Sequence, residues 1–249
     1  SDLKLVASPE FAVNLVWVSY AYAGWNSSVY VVGEIVQPEK NIFRSIFIGT
    51  IIVTLLYIAL NFVFLYVTPI NELIGRVEVG YLSGVHLFGT KLATVVSLCI
   101  GLLLISTVSS YIYIGPRIVQ AIGKDYDRLR ILSKTDSQGI PYNAFILQLF
   151  ISLLFVFTSS FEQVLMYTGI TLIITSTITV CSLFYLRYKE PDLVRPYNVW
   201  GYPWTSLFFV LLNSWVLYYT FRLQTLESII GLGLMAISFG LYFIIKKDK

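Results

Sequence analysis

Stretches without a single charged residue recur along the chain, at 11–33, 45–71, 92–116, 137–161, 163–186, 196–221 and 228–245. Each holds 18 to 27 residues, and about 20 residues at roughly 1.5 Å apiece cross the hydrocarbon core of a bilayer as a helix. The pattern predicts an all-α membrane protein with seven transmembrane helices, over 11–36, 42–67, 92–121, 141–159, 162–186, 204–222 and 226–245. Polar punctuation sets the limits. Pro38 stops the first span at or before Gln37. Thr68-Pro69 opens a loop running to about Gly89, whose Leu73, Val77, Val79, Tyr81 and Leu82 are too apolar for a plain linker. That loop is expected to fold back onto the external vestibule as a short helix. The longest loop on the opposite side runs from Asp125 to Gln138, Ser159-Ser160 makes a tight turn, and Pro191, Pro196 and Pro203 stiffen the connection from Arg187. The last two spans carry few interior polar groups and present no evident site.

Composition agrees. Of 249 residues 57% are hydrophobic and only 12% charged, with a mean hydropathy of +0.76, more apolar than a water-soluble domain covers with polar surface. Lys and Arg concentrate on the cytoplasmic side of membrane proteins. Thirteen of the seventeen fall on one face: Lys40 and Arg44, then Arg117, Lys124, Arg128, Arg130 and Lys134, then Arg187, Lys189 and Arg195, then Lys246, Lys247 and Lys249. Lys4, Arg76, Lys91 and Arg222 fall on the other. The C-terminus is therefore expected in the cytoplasm and Ser1 outside. The net charge of +3 reflects topology, and no nucleic-acid partner is read from it. Cys99 and Cys181 lie inside spans, so neither a disulfide framework nor a zinc site is expected, and no cofactor. An external start with neither Met nor a signal-peptide pattern points to the C-terminal part of something longer.

The chemistry concentrates in the first span, at Tyr20-Ala21-Tyr22-Ala23-Gly24-Trp25-Asn26. Gly24 lacks a Cβ and Ala23 is small, so the backbone can leave the helix there or come close to a ligand. The same Ala-Tyr-Ala-Gly run also reads as a small-residue face for helix packing. In hydrocarbon, unwound backbone is tolerated only where it lines a cavity or contacts a ligand. Freed carbonyls around Tyr22 to Gly24 would accept from an ammonium group, and N–H groups near Asn26 to Ser28 would favour negative charge. Those two polarities suit a zwitterion. Tyr20 and Trp25 could close over it, and Asn26 adds a side-chain donor and acceptor. Glu34, the acid at the span's end, is a candidate cytoplasmic gate or brace to Arg117 or Arg44, or else a hydrated helix end. Thr107, Ser110 and Tyr111 share one helical face and form a candidate sodium site, although such hydroxyls also bond to their own helix. Thr168, Thr171 and Thr175 make a similar stripe, read as packing. His86, the lone histidine, receives no role.

Taken in order, these motifs resemble the second half of amino acid permeases of the amino acid/polyamine/organocation superfamily. The resemblance rests on Tyr20 to Asn26 with Glu34 and Pro38-Glu39-Lys40-Asn41, on Gly115-Pro116-Arg117, and on Leu186-Arg187 followed by Pro191-Asp192-Leu193, Arg195-Pro196-Tyr197 and Gly201-Tyr202-Pro203. It covers most of the chain and is nearest to the branch carrying neutral amino acids, the L-type transporters. It implies two inverted repeats of five helices plus two more, the leucine-transporter-like arrangement, with this chain supplying helices six to twelve. The five upstream helices would then be partners from the same protein, and this chain alone would hold half the binding site. The resemblance also implies that Tyr20 is the aromatic gate, where Phe or Trp is more usual. It implies that Ala21 to Gly24 bind the substrate amine, with Ala23 where the family usually has glycine, and that the Thr107 to Tyr111 face lies near the sodium site of sodium-coupled relatives. Coupling to Na+ or H+, by symport or antiport, is left open. So are the amino acid carried and any accessory subunit. The expected location is the plasma membrane, in contact with lipid.

A transporter of polyamines or other organic cations is the nearest rival. A seven-helix receptor is the rival from another class, suggested by Asp127-Arg128 after the third span. That pair sits in a loop, the last span lacks an Asn-Pro motif, and no cysteine is available on the external loops. An enzyme would need a nucleophile, metal cluster or paired acids within the spans, and the pattern offers none.

Overall fold

The computed structural model describes residues 2–26, 32, 35–193, 195 and 197–246. The elements in chain order are α1 (Asp2–Val6), α2 (Pro9–Ala21), a 3-10 turn at Ala23–Asn26, α3 (Pro38–Val67), α4 (Ile70–Leu73) and α5 (Val79–Asp125). A second 3-10 turn, Asp127–Leu129, leads to α6 (Arg130–Ser133), α7 (Tyr142–Thr158), α8 (Phe161–Lys189), α9 (Trp204–Leu223) and α10 (Thr225–Lys246). No strand occurs among the described residues. By length and composition α3, α5, α8, α9 and α10 can each cross a membrane, and α7 is a shorter apolar helix. All thirty residues of α3 lie outside any core, and Leu102, Leu103, Leu104 and Ile105 of α5 stand exposed in succession. Such surface needs hydrocarbon around it. The chain is an all-α membrane protein.

Residue contacts divide the chain into two compact units, 1–26 with 120–249, and 27–119. In the first, α2 packs against α8 and α9, and α10 packs against α8. Val13 and Val16 of α2 meet Met166, Ile170 and Ile173 of α8 and Val216 of α9, with Trp17 and Trp215 at the margin. Two glycines set the helix spacing. A Cβ on Gly169 would lie 2.7 Å from Val16 Cγ1, and one on Gly231 would lie 3.3 Å from the Tyr167 carbonyl oxygen. Close approach through small residues is how helices associate where lipid competes equally for apolar side chains. Ser160 caps α8 by accepting from the Gln163 N–H while the Gln163 side chain accepts from the Ser160 N–H, a capping box. Ser228 donates to the Gln224 carbonyl at 2.7 Å, holding the turn between α9 and α10.

The loop between α5 and α7 is ordered by its own polar groups. Asp136 Oδ1 accepts from the N–H groups of Gln138 and Ile140, each at 2.9 Å, and Asn143 donates to the Ile131 carbonyl. Arg128 reaches across the unit to donate to the Ile244 carbonyl at 2.6 Å, a cation on the carbonyl end of α10. The connection from α8 to α9 draws distant motif residues together. The Arg187 guanidinium lies 3.8 Å over the Tyr202 ring, Phe184 packs on the same ring, and Arg195 donates to the carbonyls of Glu190, Pro191 and Leu193.

In the second unit, α3 starts at Pro38, four residues before the start expected at Ile42, because proline is favoured rather than excluded at the first helical position. The third expected span, 92–121, is part of a longer element. α5 begins at Val79 and continues through Pro116 to Asp125, with one break at Gly89 (φ 78°, ψ 168°), a backbone conformation open to glycine. Contacts are symmetric about that break: a Cβ at Gly84 would sit 3.4 Å from Ala93, and one at Gly80 3.0 Å from Ile100 Cδ1. Residues 79–88 therefore fold back as a short helix, and what they pack on is the next span of the same element. Thr68 donates to Ser83 at 2.9 Å, both 1% exposed, and His86, which had no partner legible in sequence, pairs with Glu72 at 2.9 Å. Thr68→Val is expected to cost about 1–3 kcal/mol, because it leaves the Ser83 hydroxyl buried and unpartnered. Adding Ser83→Ala should restore most of that loss in a thermal unfolding series. No recovery would mean the pair is not what holds the turn.

Candidate binding site at a helix break

α2 forms because Ser8 caps it, accepting from the Phe11 N–H at 3.2 Å, and Pro9 occupies its first turn. It is short. Its thirteen residues span about 20 Å against the roughly 30 Å of a bilayer core. The last α-type bond at its end runs from the Tyr22 N–H to the Val18 carbonyl, and Tyr22 itself is no longer helical at φ −96°, ψ 0°. From Ala23 to Asn26 the chain tightens into a 3-10 turn. The α-helix thus ends inside the charge-free run 11–33.

Around this turn the side chains diverge. Tyr20 and Trp25 are 41% and 46% exposed, and Ala21 and Gly24 are exposed as well. Among the described residues a Cβ on Gly24 would meet nothing within 4 Å. Tyr22 and Trp25 turn toward α8 and α9. With Leu15, Val18 and Ser19 of α2, Leu172, Ile173 and Ser176 of α8, and Phe209, Leu212, Asn213 and Val216 of α9, they line a cavity of about 310 Å3. The α2 and α9 residues follow helical spacing, at 15, 18, 19, 22 and at 209, 212, 213, 216, each set forming one face. Asn213 is 8% exposed. The reading of α9 as a helix without a site overlooked it, although an amide in mid-span is a signal in its own right.

The Asn26 backbone closes the 3-10 turn. Glu34, Ser27 and Ser28 lie outside the described residues. Thr107 donates to the Leu103 carbonyl at 3.2 Å and Ser110 to the Ser106 carbonyl at 3.1 Å, and Tyr111 is exposed. A hydroxyl that donates keeps lone pairs for a cation, so this face retains oxygen ligands, though only as single groups along a helix. Thr168, Thr171 and Thr175 bond back to the carbonyls of Val164, Tyr167 and Thr171, in keeping with a packing stripe. Among the described residues no group of three or more His, Cys, Asp or Glu could hold a metal ion.

Residues 6–242 match the family described as "Amino acid permease". Among curated proteins the chain is similar to the mouse large neutral amino acids transporter small subunit 2, 28% identical over 231 residues, covering 91% of this chain and 42% of that protein. It is 27% identical to the human protein of the same name over the same shares. It is also 27% identical over 199 residues to mouse solute carrier family 7 member 12, covering 80% of this chain and 43% of that protein. The chain spans less than half the length of these relatives.

Proposed function

The chain belongs to the amino acid permease family, and from that premise we propose that it forms the substrate-holding part of a secondary transporter for neutral amino acids. The single observation that carries the site is the end of α-helical bonding at Tyr22, followed by a 3-10 turn, inside an uncharged span. In this reading the carbonyls from Ala21 to Gly24 accept from the substrate ammonium, and Asn26 and the N–H groups after it face the carboxylate. The run from Tyr20 to Asn26 contains no acid to meet a second ammonium group, which favours a zwitterion over a polyamine. Tyr20, exposed beside the break, is the aromatic gate, and Glu34 gates the cytoplasmic side.

Transport proceeds by alternating access, the helix containing the break moving with its bundle against a scaffold. Helices of the same protein beyond this chain complete the site and the inverted repeat. The protein sits in the plasma membrane with its C-terminus inside. Movement is driven by exchange or by Na+ or H+, with Thr107, Ser110 and Tyr111 the oxygens offered to an ion.

Two experiments address this reading. In the intact transporter, a cysteine at Ala23 should react with a water-soluble thiol reagent, and a saturating neutral amino acid should slow that reaction, relative to a background set by Cys99 and Cys181. Equal rates with and without amino acid would remove substrate from the break. Tyr20→Ala should lower turnover by roughly ten- to a hundredfold while surface amount stays unchanged, the range expected when a closing lid is lost. Normal turnover would end the gate assignment.

A further inference from the structure

Three polar side chains meet in the cavity between α2, α8 and α9: Ser19, Ser176 and Asn213. None of them makes a hydrogen bond among the described residues, whereas Thr175 and Thr177 on either side of Ser176 both bond back to carbonyls of their own helix. Asn213 is more than nine-tenths buried, and it lines the cavity with no side-chain partner among the described residues. Something should answer these groups. Water alone is a poor filler. The cavity, about 310 Å3 and partly open, is mostly apolar, and an ordered water needs two to four polar partners. The remaining walls are apolar side chains of α2, α8 and α9, among them Leu15, Leu172, Ile173 and Phe209, with Tyr22 and Trp25 at the break end.

We propose that this cavity binds an uncharged amphiphile, an aliphatic body lying along the apolar walls and a single hydroxyl or amide head bonded to Asn213, Ser176 and Ser19. The size falls at the lower end of ligand pockets, and the lining matches their usual composition of apolar walls with a few convergent polar groups. Charge is excluded by the lining itself, which contains no acid and no base. Its side chains offer no partner for a full charge, so an uncharged head suits the cavity, which lies beside the amino acid site proposed at the break. Both share Tyr22 and Trp25, so an occupant would bear directly on the segment that unwinds.

The test is photolabelling of the full-length protein in liposomes with a diazirine-bearing octanol, adducts being mapped by mass spectrometry. Saturable adducts within residues 15–25, 172–176 or 209–216 are expected, displaced by excess 1-octanol and not by an amino acid. Asn213→Leu should weaken the saturable labelling by about two- to tenfold, the range for one neutral hydrogen bond, and Ser176→Ala should act in the same direction. Leucine is at home in a spanning helix, so folding is preserved, and heat stability of the variant checks this. Labelling that rises linearly with probe and ignores both substitutions would overturn the proposal, as partition into lipid. So would absence of adducts at these segments, which would mean that another part of the protein fills the cavity. Displacement by an amino acid would also overturn it, assigning the cavity to the transported substrate. Because uptake is measured separately, failure here leaves the transport reading standing.

Discussion

Gly24→Leu in the intact protein is expected to abolish uptake of neutral amino acids while leaving the amount of folded protein in the membrane unchanged. The expectation follows from a contrast between local packing and location. Among the described residues nothing lies within 4 Å of a Cβ at Gly24, so a side chain there strains neither α2 nor the helices described as packing on it. Yet Gly24 sits in the 3-10 turn where α-helical bonding has already stopped. If the substrate ammonium sits beside the carbonyls of this turn, as proposed, a leucine side chain would take up its space, and displacement of a bound group by an ångström is enough to lower a rate on the order of 10²-fold. Uptake assayed beside a surface-expression measurement separates the two. Normal uptake would show that the turn is not where substrate sits, and loss of protein would show that glycine is required for folding after all.

Gly169→Val has the opposite signature: the protein itself is lost. The Cβ would stand 2.7 Å from Val16 Cγ1, and Val16 is 1% exposed in the only core that joins α2 to α8 among the described residues. Valine is branched at Cβ and has few rotamers to retreat into, so α2 must shift or the core must open. Overpacking of this kind costs about 1–3 kcal/mol. A fall of several degrees in the thermal midpoint is expected, with uptake falling as folded protein falls. Gly101→Ala, where nothing lies within 4 Å, serves as control and should leave the midpoint in place. An unchanged midpoint for Gly169→Val would mean that α2 is not held by α8 as described, and the position of the break would lose its support.

The elements were legible where one local rule decided them. Charge-free runs of bilayer length pointed to apolar helices, seven expected against five long enough to cross a membrane among the described residues. In sequence Pro38 reads only as the end of the first span, although it starts α3, and Ser159-Ser160 marked the turn into α8, where Ser160 caps the helix. The end of α2 within its run was legible through the small residues Ala23 and Gly24. Pairings between distant residues were not. The fold-back of residues 79–88 as a short helix was expected from the apolar loop before Gly89, but what it packs on, the span that follows Gly89 in a helical hairpin, was not. His86 and Glu72 are fourteen residues apart, and only that hairpin and α4 bring them together. Arg187 and Tyr202 belong to one recognisable motif, yet the stacking of one on the other depends on how the proline-rich connection turns. The cavity lined by Ser19, Ser176 and Asn213 needed three helices that lie far apart in the chain, and of these residues only Asn213 stands out in its own segment.

The central claim is that this chain helps to carry neutral amino acids, and the most direct test is uptake of labelled neutral amino acids by the full-length protein in proteoliposomes, with and without Na+ and H+ gradients. Saturable uptake, competed by unlabelled amino acid, is the predicted result, and its dependence on either gradient would identify the coupling. No uptake of any neutral amino acid under any gradient or with amino acid loaded inside would contradict the account.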